Sequence, residues 1–476
     1  MSYLNQQTKA SLDAFVAVNK ENMLADLCTL ARIPSVAGDA EPDAPFGKEC
    51  AEALEAAAAL FEREGFSVKR MPKDGYAVAY YGDGSEDIGI FGHSDVVPAD
   101  GEWLFTKPFE PRLLEGLLFG RGTDDDKSGI ILTLYAAKYM KEHGILPKRR
   151  LAMVIGSAEE TGMADIEAFV KNERTPHFSL VPDSAFPFGY GEKGIFRGYI
   201  THKNAFEADI ELFGGSCFNA VLGEAKALIR HLPDAFGSLA EKAAGLENIA
   251  VERTEDGAIV TATGITAHAA MPQGSLNAGK VLLGFLRSCG CFSEHDNAVF
   301  ADLEAVLSVH DGSCFGIASE DPVFGALTCV TGMLSTENRR VKASLDIRFG
   351  SSVDADAMVK QLQTAANPHF LLETFEISAG YLRDKNGPAA EALLNAYRTV
   401  TGQTAAEPFV MSGGTYAKHF PLAFPIGTSV FPHGSTLSVP KGHGGAHQPD
   451  EFLPVDGFLR ALPVLVCMIL DADEAI

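Results

Sequence analysis

Short apolar runs alternate with amphipathic stretches over the first 190 residues of the chain. Residues 45–65 place an Ala, Leu and Phe face opposite charged residues and stop at Gly65, which predicts an amphipathic helix. Apolar runs at 88–91, 151–155 and 178–181 have the character of buried strands, and helical patterns such as 130–142 separate them. This rhythm predicts an α/β fold with a helix-covered mixed sheet, in which functional residues collect beyond the strand ends.

The pattern changes after residue 190 and returns to the first style after residue 382. Between these positions we predict extended segments at 206–212, 258–263 and 343–349, and helices at 220–230 and 277–287. Beyond them we predict a helix at 389–400, a strand at 408–411 and a last helix at 456–470. We therefore expect an α/β domain built from residues 1–190 and 383–476, interrupted by an α+β domain at 191–382.

Length and charge narrow the classes of function. The chain has 476 residues, more than one hydrophobic core usually supports, which agrees with two domains. Its formal net charge is −24, so it would repel nucleic-acid phosphates and anionic membrane surfaces. We expect neither nucleic acid nor a membrane as a partner. Some of the acidic excess is typical of a site for divalent cations.

The cysteines and the first residues bear on the compartment. The eight cysteines show neither a disulfide rhythm nor a paired CxxC spacing, which is typical of free thiols in a reducing compartment. The first residues lack the basic start and apolar run of a signal peptide, and Arg460 interrupts the longest apolar stretch near the end. The sequence therefore predicts a cytoplasmic protein.

Five short patterns place carboxylates or histidines near predicted strand ends or in loops. They are GHSDVVP with His93 and Asp95, GRGTDDDKSG with Asp125, SAEETG with Glu159 and Glu160, PDSAFPFGYGEKG with Asp183, and GAHQPDE with His447. Each pattern alone has an alternative explanation without a metal. The HxD pair would have a purely structural role, the aspartates would cap a solvent-exposed helix, the glutamates would lie on the surface, and the histidine would be an ordinary surface or core residue. Together, oxygen and nitrogen ligands without cysteine favour a dinuclear zinc or manganese site with one shared carboxylate.

The chain resembles the dinuclear zinc peptidase family that includes aminoacylase, carboxypeptidase G2 and succinyl-diaminopimelate desuccinylase. It is most similar to the bacterial dipeptidase V branch of that family. The resemblance rests on the five patterns and on GEWLFTKPFEP, GITAHAAMPQGSLNAG, LDIRF and SGGTYAK, all in family order over nearly the whole chain. It implies a metal-dependent hydrolase, with a catalytic domain at 1–190 and 383–476 and a lid domain at 191–382.

The resemblance also implies a role for each metal-site residue. His93 and Asp183 would hold one zinc ion, Glu160 and His447 the second, and Asp125 would bridge two Zn²⁺ ions, with Mn²⁺ or Co²⁺ as alternatives. Asp95 would orient His93. Glu159 would be the general base that takes a proton from the attacking, metal-activated water.

Further residues are implied by the likeness of the lid and of one late loop. His268 would donate to the tetrahedral oxyanion, although a plain polar loop residue is the alternative. Asn219 and Arg348 would grip the carboxylate of the substrate, with a structural ion pair as the alternative for Arg348. The turn of Gly413, Gly414 and Thr415 would contact the substrate. A long lid of this kind implies a monomer.

Two enzymatic functions fit the same metals. The first is a dipeptidase that acts on small peptides, and the second is an N-acyl amino acid deacylase such as a desuccinylase or aminoacylase. A dipeptidase needs a carboxylate near the free amine of its substrate, whereas a desuccinylase needs a cation there. A noncatalytic metal-binding protein of the same fold is a third possibility, which the presence of Glu159 disfavours.

Overall fold

The computed structural model describes residues 3–231 and 235–476. The chain divides into two compact units. The first unit comprises Met1–Tyr190, Arg383–Phe409 and Thr415–Ile476, and the second comprises Gly191–Leu382 and Val410–Gly414.

The chain begins with the elements of the first unit. In order these are α1 (Gln6–Ala31), α2 (Lys48–Arg63), β1 (Ser67–Met71), β2 (Tyr76–Tyr81), β3 (Asp87–His93), β4 (Arg112–Leu114), β5 (Leu117–Phe119), α3 (Lys127–Glu142), β6 (Arg150–Gly156), α4 (Ala164–Asn172) and β7 (Phe178–Ser184). The predicted helix at 45–65 and the three predicted strands are confirmed as α2, β3, β6 and β7.

The elements from β8 to β20 follow. They are β8 (Gly189–Glu192), β9 (Gly194–His202), β10 (Ile210–Phe213), β11 (Glu224–Arg230), α5 (Ala235–Ala243), β12 (Ile249–Arg253), β13 (Gly257–Thr263), α6 (Ala278–Ser288), α7 (Glu294–Leu307), β14 (Glu320–Asp321), β15 (Gly325–Ala326), β16 (Thr328–Val330), β17 (Leu334–Glu337), β18 (Arg340–Phe349), α8 (Ala355–Ala366), β19 (Phe370–Ser378) and β20 (Tyr381–Leu382). The last stretch contains α9 (Pro388–Thr401), β21 (Phe409–Met411), β22 (Ala423–Gly427), β23 (Phe452–Pro454) and α10 (Val455–Ala475).

A six-stranded mixed sheet forms the centre of the first unit, in the order β1-β2-β6-β3-β7-β22. The four strands from β6 to β22 run parallel, whereas β2 pairs antiparallel with both β1 and β6. All seven residues of β3 are buried, as expected for a strand covered by helices on both faces. The predicted α/β class with a mixed sheet is confirmed.

Two long helices fill much of the core of the first unit. Helix α3 buries thirteen of its sixteen residues, and α10 buries side chains such as Leu462, Val466 and Ile469 completely. A helix that is apolar all round is stable only when other elements cover it, and both helices belong to the same hydrophobic cluster as the sheet. Among the described residues, no helix has both the length and the apolar character needed to cross a bilayer.

The second unit contains two larger antiparallel sheets with their own hydrophobic core. One has the order β10-β11-β13-β12, and the other has the order β16-β18-β9-β19, with β17 paired to β18. The predicted strands at 258–263 and 343–349 and the helix at 277–287 are confirmed as β13, β18 and α6. The predicted strand at 206–212 begins only at Ile210.

The predicted helix at 220–230 is wrong, because residues 224–230 form strand β11. Ala225, Ala227 and Ile229 are fully buried there, while the residues between them are partly exposed. This period of two is that of a strand with one face on a core. Alanine, leucine, glutamate and lysine favour a helix by intrinsic propensity, and pairing with β10 and β13 overrides that preference.

Candidate metal centre

Three adjacent parallel strands bring chemistry-bearing side chains to one edge of the central sheet. His93 is the last residue of β3, Glu159 and Glu160 follow the end of β6, and Asp183 lies near the end of β7. The sheet order β6-β3-β7 makes these strands neighbours, so their carboxyl ends meet at the same edge.

Two other segments complete the cluster. Asp125 lies just before α3, and His447 lies in the loop between β22 and β23. All five predicted metal ligands belong to the first unit, and the fold brings them together.

The contacts divide the cluster into two groups that share Asp125. On one side, His93 Nε2 lies 3.1 Å from Asp125 Oδ1 and 3.9 Å from Asp183 Oδ2. On the other side, His447 Nε2 lies 3.1 Å from Asp125 Oδ2 and 3.0 Å from Glu160 Oε1. The two carboxylate oxygens of Asp125 therefore face different histidines, which is the arrangement of a bridging ligand between two cations.

The electrostatics of the cluster fit divalent cations. Burial, reinforced by mutual repulsion, raises the pKa of Glu159, Glu160 and Asp183. Burial lowers the pKa of His447, but its contacts with Asp125 and Glu160 outweigh that effect and raise it to about 11. Without a cation the group must take up protons to offset its negative charge, and divalent ions would supply the missing positive charge.

A carboxylate oxygen of Glu159, beside the two groups, is left without a hydrogen-bond partner. Glu159 is buried, and its Oε1 has no hydrogen-bond partner within residues 3–231 and 235–476. A buried carboxylate oxygen that no protein group satisfies is costly unless a bound ion, water or substrate uses it. This position suits a group that exchanges a proton with a bound molecule.

The model of peptidase family M20/M25/M40 matches residues 89–471, which include all five candidate ligands and the whole of the second unit. The chain belongs to this family. The resemblance drawn from the sequence motifs is therefore confirmed, and M20 membership makes the protein a peptidase that uses divalent metal ions.

Named relatives align with almost the whole length of this M20 chain. A Staphylococcus epidermidis protein named "Putative dipeptidase" is 28% identical over 462 residues, which cover 94% of this chain and 96% of the relative. "Putative dipeptidase YtjP" of Bacillus subtilis is 28% identical over 461 residues, covering 93% and 95% of the two chains.

Solved structures show the same fold at low identity. The dipeptidase Dug1p of Saccharomyces cerevisiae matches with a TM-score of 0.60 and 15% identity, over 99% of both chains. Human carnosine dipeptidase 1 matches with a TM-score of 0.59 and 14% identity, over 98% of this chain and 99% of that one.

In this M20 chain Asp95 connects His93 to the loop of the two glutamates. His93 Nδ1 lies 3.0 Å from the backbone oxygen of Asp95 and 3.4 Å from its carboxylate. The same carboxylate accepts hydrogen bonds from the backbone N–H groups of Glu159 and Glu160, at 3.2 and 3.1 Å. Asp95 is positioned to orient the histidine ring and the glutamate loop together.

Glu451, which was not among the predicted site residues, holds the segment that carries Asp125. Its Oε1 accepts hydrogen bonds from the backbone N–H groups of Asp124 and Asp125, at 3.0 and 3.2 Å. Its Oε2 lies 2.5 Å from Nη1 of Arg121, and both side chains are almost fully buried. Burial raises the pKa of Glu451, and the Arg121 guanidinium opposes this rise. This ion pair links the loop of His447 to the loop of Asp125.

A second buried carboxylate that the sequence did not single out supports the glutamate loop. Asp165 Oδ2 accepts hydrogen bonds from the backbone N–H groups of Ser157 and Ala158, at 2.6 and 2.9 Å, and from the Tyr416 hydroxyl at 2.6 Å. The Tyr416 ring also meets the His93 ring edge to face, with centroids 6.4 Å apart. Asp165 and Tyr416 therefore fix the backbone that leads into Glu159.

The predicted lid residues lie in the second unit. Asn219 and His268 are on neighbouring segments, because Ala220 pairs with His268 in an isolated antiparallel bridge and the Ala269 N–H donates to the Asn219 oxygen. Arg348, at 2% exposure, donates through Nε and Nη2 to the carboxylate of Asp346, at 2.6 and 2.9 Å. The ion pair that was the alternative for Arg348 is thus present.

The predicted substrate-contacting turn is divided between the two units. Gly413 and Gly414 belong to the second unit and Thr415 to the first. The Thr415 hydroxyl accepts a hydrogen bond from the Ala417 N–H at 3.1 Å, which caps the short helical turn at Tyr416–His419.

Proposed function

We propose that this M20 peptidase hydrolyses the peptide bond of dipeptides at a two-metal centre formed by His93, Asp125, Glu160, Asp183 and His447. The observation that supports the proposal most is the division of the cluster around Asp125, with one histidine facing each carboxylate oxygen. The dipeptidase names of relatives aligned over nearly their full length favour dipeptides as the substrate class.

Metal ions bound here would polarise the scissile carbonyl and lower the pKa of a water molecule. Two Zn²⁺ ions fit the histidine and carboxylate donors, and Mn²⁺ or Co²⁺ fit the same set.

Glu159 is the general base in this proposal. Its unpaired Oε1 takes a proton from the attacking water as the water oxygen bonds to the carbonyl carbon. When the C–N bond breaks, Glu159 returns that proton to the leaving amine.

The lid residues have predicted roles in the same reaction. His268 is proposed to donate to the oxyanion, and Asn219 to contact the substrate carboxylate. Arg348, which is already paired with Asp346, would donate to the substrate carboxylate as well as to Asp346. Gly413, Gly414 and Thr415 are proposed to contact the substrate.

The monomeric state and the cytoplasmic location are also predictions. Size-exclusion chromatography with light scattering tests the monomeric state.

The test of the function is hydrolysis by chelator-treated protein reloaded with Zn²⁺, Mn²⁺ or Co²⁺. The panel contains dipeptides with free termini, the same dipeptides blocked at the N-terminus, and N-acetyl and N-succinyl amino acids. We expect metal-dependent cleavage of the free dipeptides. Preferential cleavage of the acyl amino acids would replace the dipeptidase proposal with the deacylase, and inactivity on the whole panel would overturn both.

Glu159→Gln tests the assignment of the base. Because the amide cannot accept the proton, we expect kcat to fall by roughly 10²- to 10⁴-fold while the number of bound metal ions stays unchanged. Glu167→Gln is the matched control, since Glu167 is exposed on α4. Full hydrolysis by Glu159→Gln with both ions bound would refute the mechanism.

A further inference from the structure

A second group of metal-ligating side chains lies in the second unit, apart from the five ligands of the proposed centre. His202, Asp302 and His369 each offer one ligand atom, and these three atoms all lie within 4.8 Å of one another. His202 Nε2 lies 3.2 Å from Asp302 Oδ2, and His369 Nδ1 lies 2.6 Å from the same oxygen. One carboxylate oxygen therefore lies between two imidazole nitrogens.

Three regular elements hold this His202–Asp302–His369 cluster. His202 is the last residue of β9, His369 directly precedes β19, and Asp302 lies on α7. Phe370 pairs with His202 across the two strands, and the Lys203 N–H donates to the His369 oxygen at 2.9 Å. The backbone positions of both histidines are thus set by the sheet, which is the support that a metal site requires.

The surroundings of His202 suit a metal ligand. The residue is buried, and its other ring nitrogen, Nδ1, lies 3.3 Å from the Asn204 carbonyl oxygen and 3.1 Å from the Asn204 N–H. In one tautomer, Nδ1 accepts a hydrogen bond from the Asn204 N–H and Nε2–H donates to Asp302. In the other tautomer, Nδ1–H donates to the Asn204 carbonyl, and the lone pair of Nε2 is available to a cation bound between His202 and Asp302. Metal-bound histidines usually make such a bond to a backbone carbonyl.

The distance between His202 and Asp302 agrees with a small divalent ion. Two ligands at about 2.0–2.1 Å from a tetrahedral zinc ion are about 3.3 Å apart, close to the 3.2 Å between His202 and Asp302. His369 is closer to Asp302 than this, and its side chain is 52% exposed, so its ring has room to move outward. Two nitrogen donors favour Zn²⁺ or Co²⁺ over Mg²⁺ or Ca²⁺.

We infer that His202, Asp302 and His369 form a second, structural binding site for a divalent transition-metal ion, with water in the remaining position. The ion would join helix α7 to the paired ends of β9 and β19. It would stabilise the second unit without taking part in hydrolysis.

The experiment counts metal ions bound by the full chain after chelator treatment and equilibration with Zn²⁺, and records the visible spectrum with Co²⁺. It is done with the natural chain and with Asp125→Asn, which weakens the proposed catalytic centre. His369→Ala and Asp302→Asn are each introduced alone into the natural chain and into the Asp125→Asn variant. In every case we expect one bound ion fewer per chain than in the corresponding starting protein. The rise in Tm on adding Zn²⁺ should also become smaller.

His231→Asn is the matched control, since His231 is an exposed histidine of the same unit that lies 3.6 Å from Asp209. It should keep the full metal content. Equal metal content in the natural chain, His369→Ala and Asp302→Asn would overturn the inference, because hydrogen bonds alone would then explain the cluster. An equal loss in His231→Asn would also overturn it, because the bound ion would then be an unspecific surface ion.

Discussion

The ion pair of Glu451 and Arg121 offers a sharp test of how the loops of the proposed centre are held. Both side chains are almost completely buried, so replacing Glu451 with Gln leaves the Arg121 charge without a compensating partner. Removing one member of a buried pair costs about 3–5 kcal/mol. The Gln oxygen can still accept from the Asp124 and Asp125 N–H groups, so we expect the lower end, about 3 kcal/mol.

This loss of stabilising free energy should appear as more frequent local opening of the segment that carries Arg121 and Asp125. Since about 1.4 kcal/mol corresponds to a tenfold change in an equilibrium constant, amide hydrogen exchange in a peptide spanning residues 118–127 should become roughly 100-fold faster. A peptide from β2 should change far less. Metal affinity should fall by about 10- to 100-fold, because the Asp125 backbone loses part of its support.

A second variant separates charge from shape. Arg121→Met combined with Glu451→Gln removes both charges, so it should recover much of the protection lost in Glu451→Gln alone. Exchange in Glu451→Gln within about threefold of the natural chain would refute this reasoning, since even 1 kcal/mol gives a larger change. The reasoning would also be refuted if the double variant lost as much exchange protection as the single variants Glu451→Gln and Arg121→Met lose when their losses are added.

Two further predictions concern fully or partly buried side chains of the first unit. Tyr416→Phe removes the hydroxyl donor to buried Asp165, so the free energy of unfolding should fall by about 1–3 kcal/mol, and an unchanged urea midpoint would contradict this. Burial, with the nearby Lys418 charge, lowers the pKa of His419 to about 4, below its unfolded value of about 6.5. The unfolded chain therefore binds more protons in this range, so stability should fall from about pH 6.5 towards pH 4, by about 2 kcal/mol after allowance for partial exposure. His419→Gln should remove this loss, whereas His177→Gln, at an exposed site, should keep it.

Local patterns in the sequence were sufficient for three of the six strands of the central sheet, β3, β6 and β7, and for the residues near their ends, whereas β1, β2 and β22 were not predicted. The strands ending at His93 and near Asp183 are short buried apolar runs, and their parallel pairing places both residues at one edge. The apolar period of two in β11 was also present, but its helix-forming residues concealed it. Helix α1 received no prediction, because polar Asn19 and Asp26 interrupt its buried face.

Contacts between distant segments could not be predicted from local patterns. Glu451 lies within the recognised AHQPDE motif, but its partner Arg121 is 330 positions earlier in the chain. Asp165 and Tyr416 are separated by 251 positions, and neither has a local spacing that points to the other. Only the fold brings such pairs together, which is why Glu451 and Asp165 were not predicted, whereas Asp95, which lies two residues from His93, was.

The central claim, that Asp125 bridges a two-metal hydrolytic centre, is tested most directly by Asp125→Asn. Bound zinc per chain and hydrolysis of a cleaved dipeptide are measured together, with Asp13→Asn at an exposed position of α1 as the control. We expect Asp125→Asn to bind two ions fewer than the control and to lose activity by more than about 100-fold. Replacing a residue that only hydrogen-bonds to a metal ligand already lowers metal affinity or activity by up to about 100-fold. Retention of both ions with hydrolysis within tenfold of the control would contradict the account.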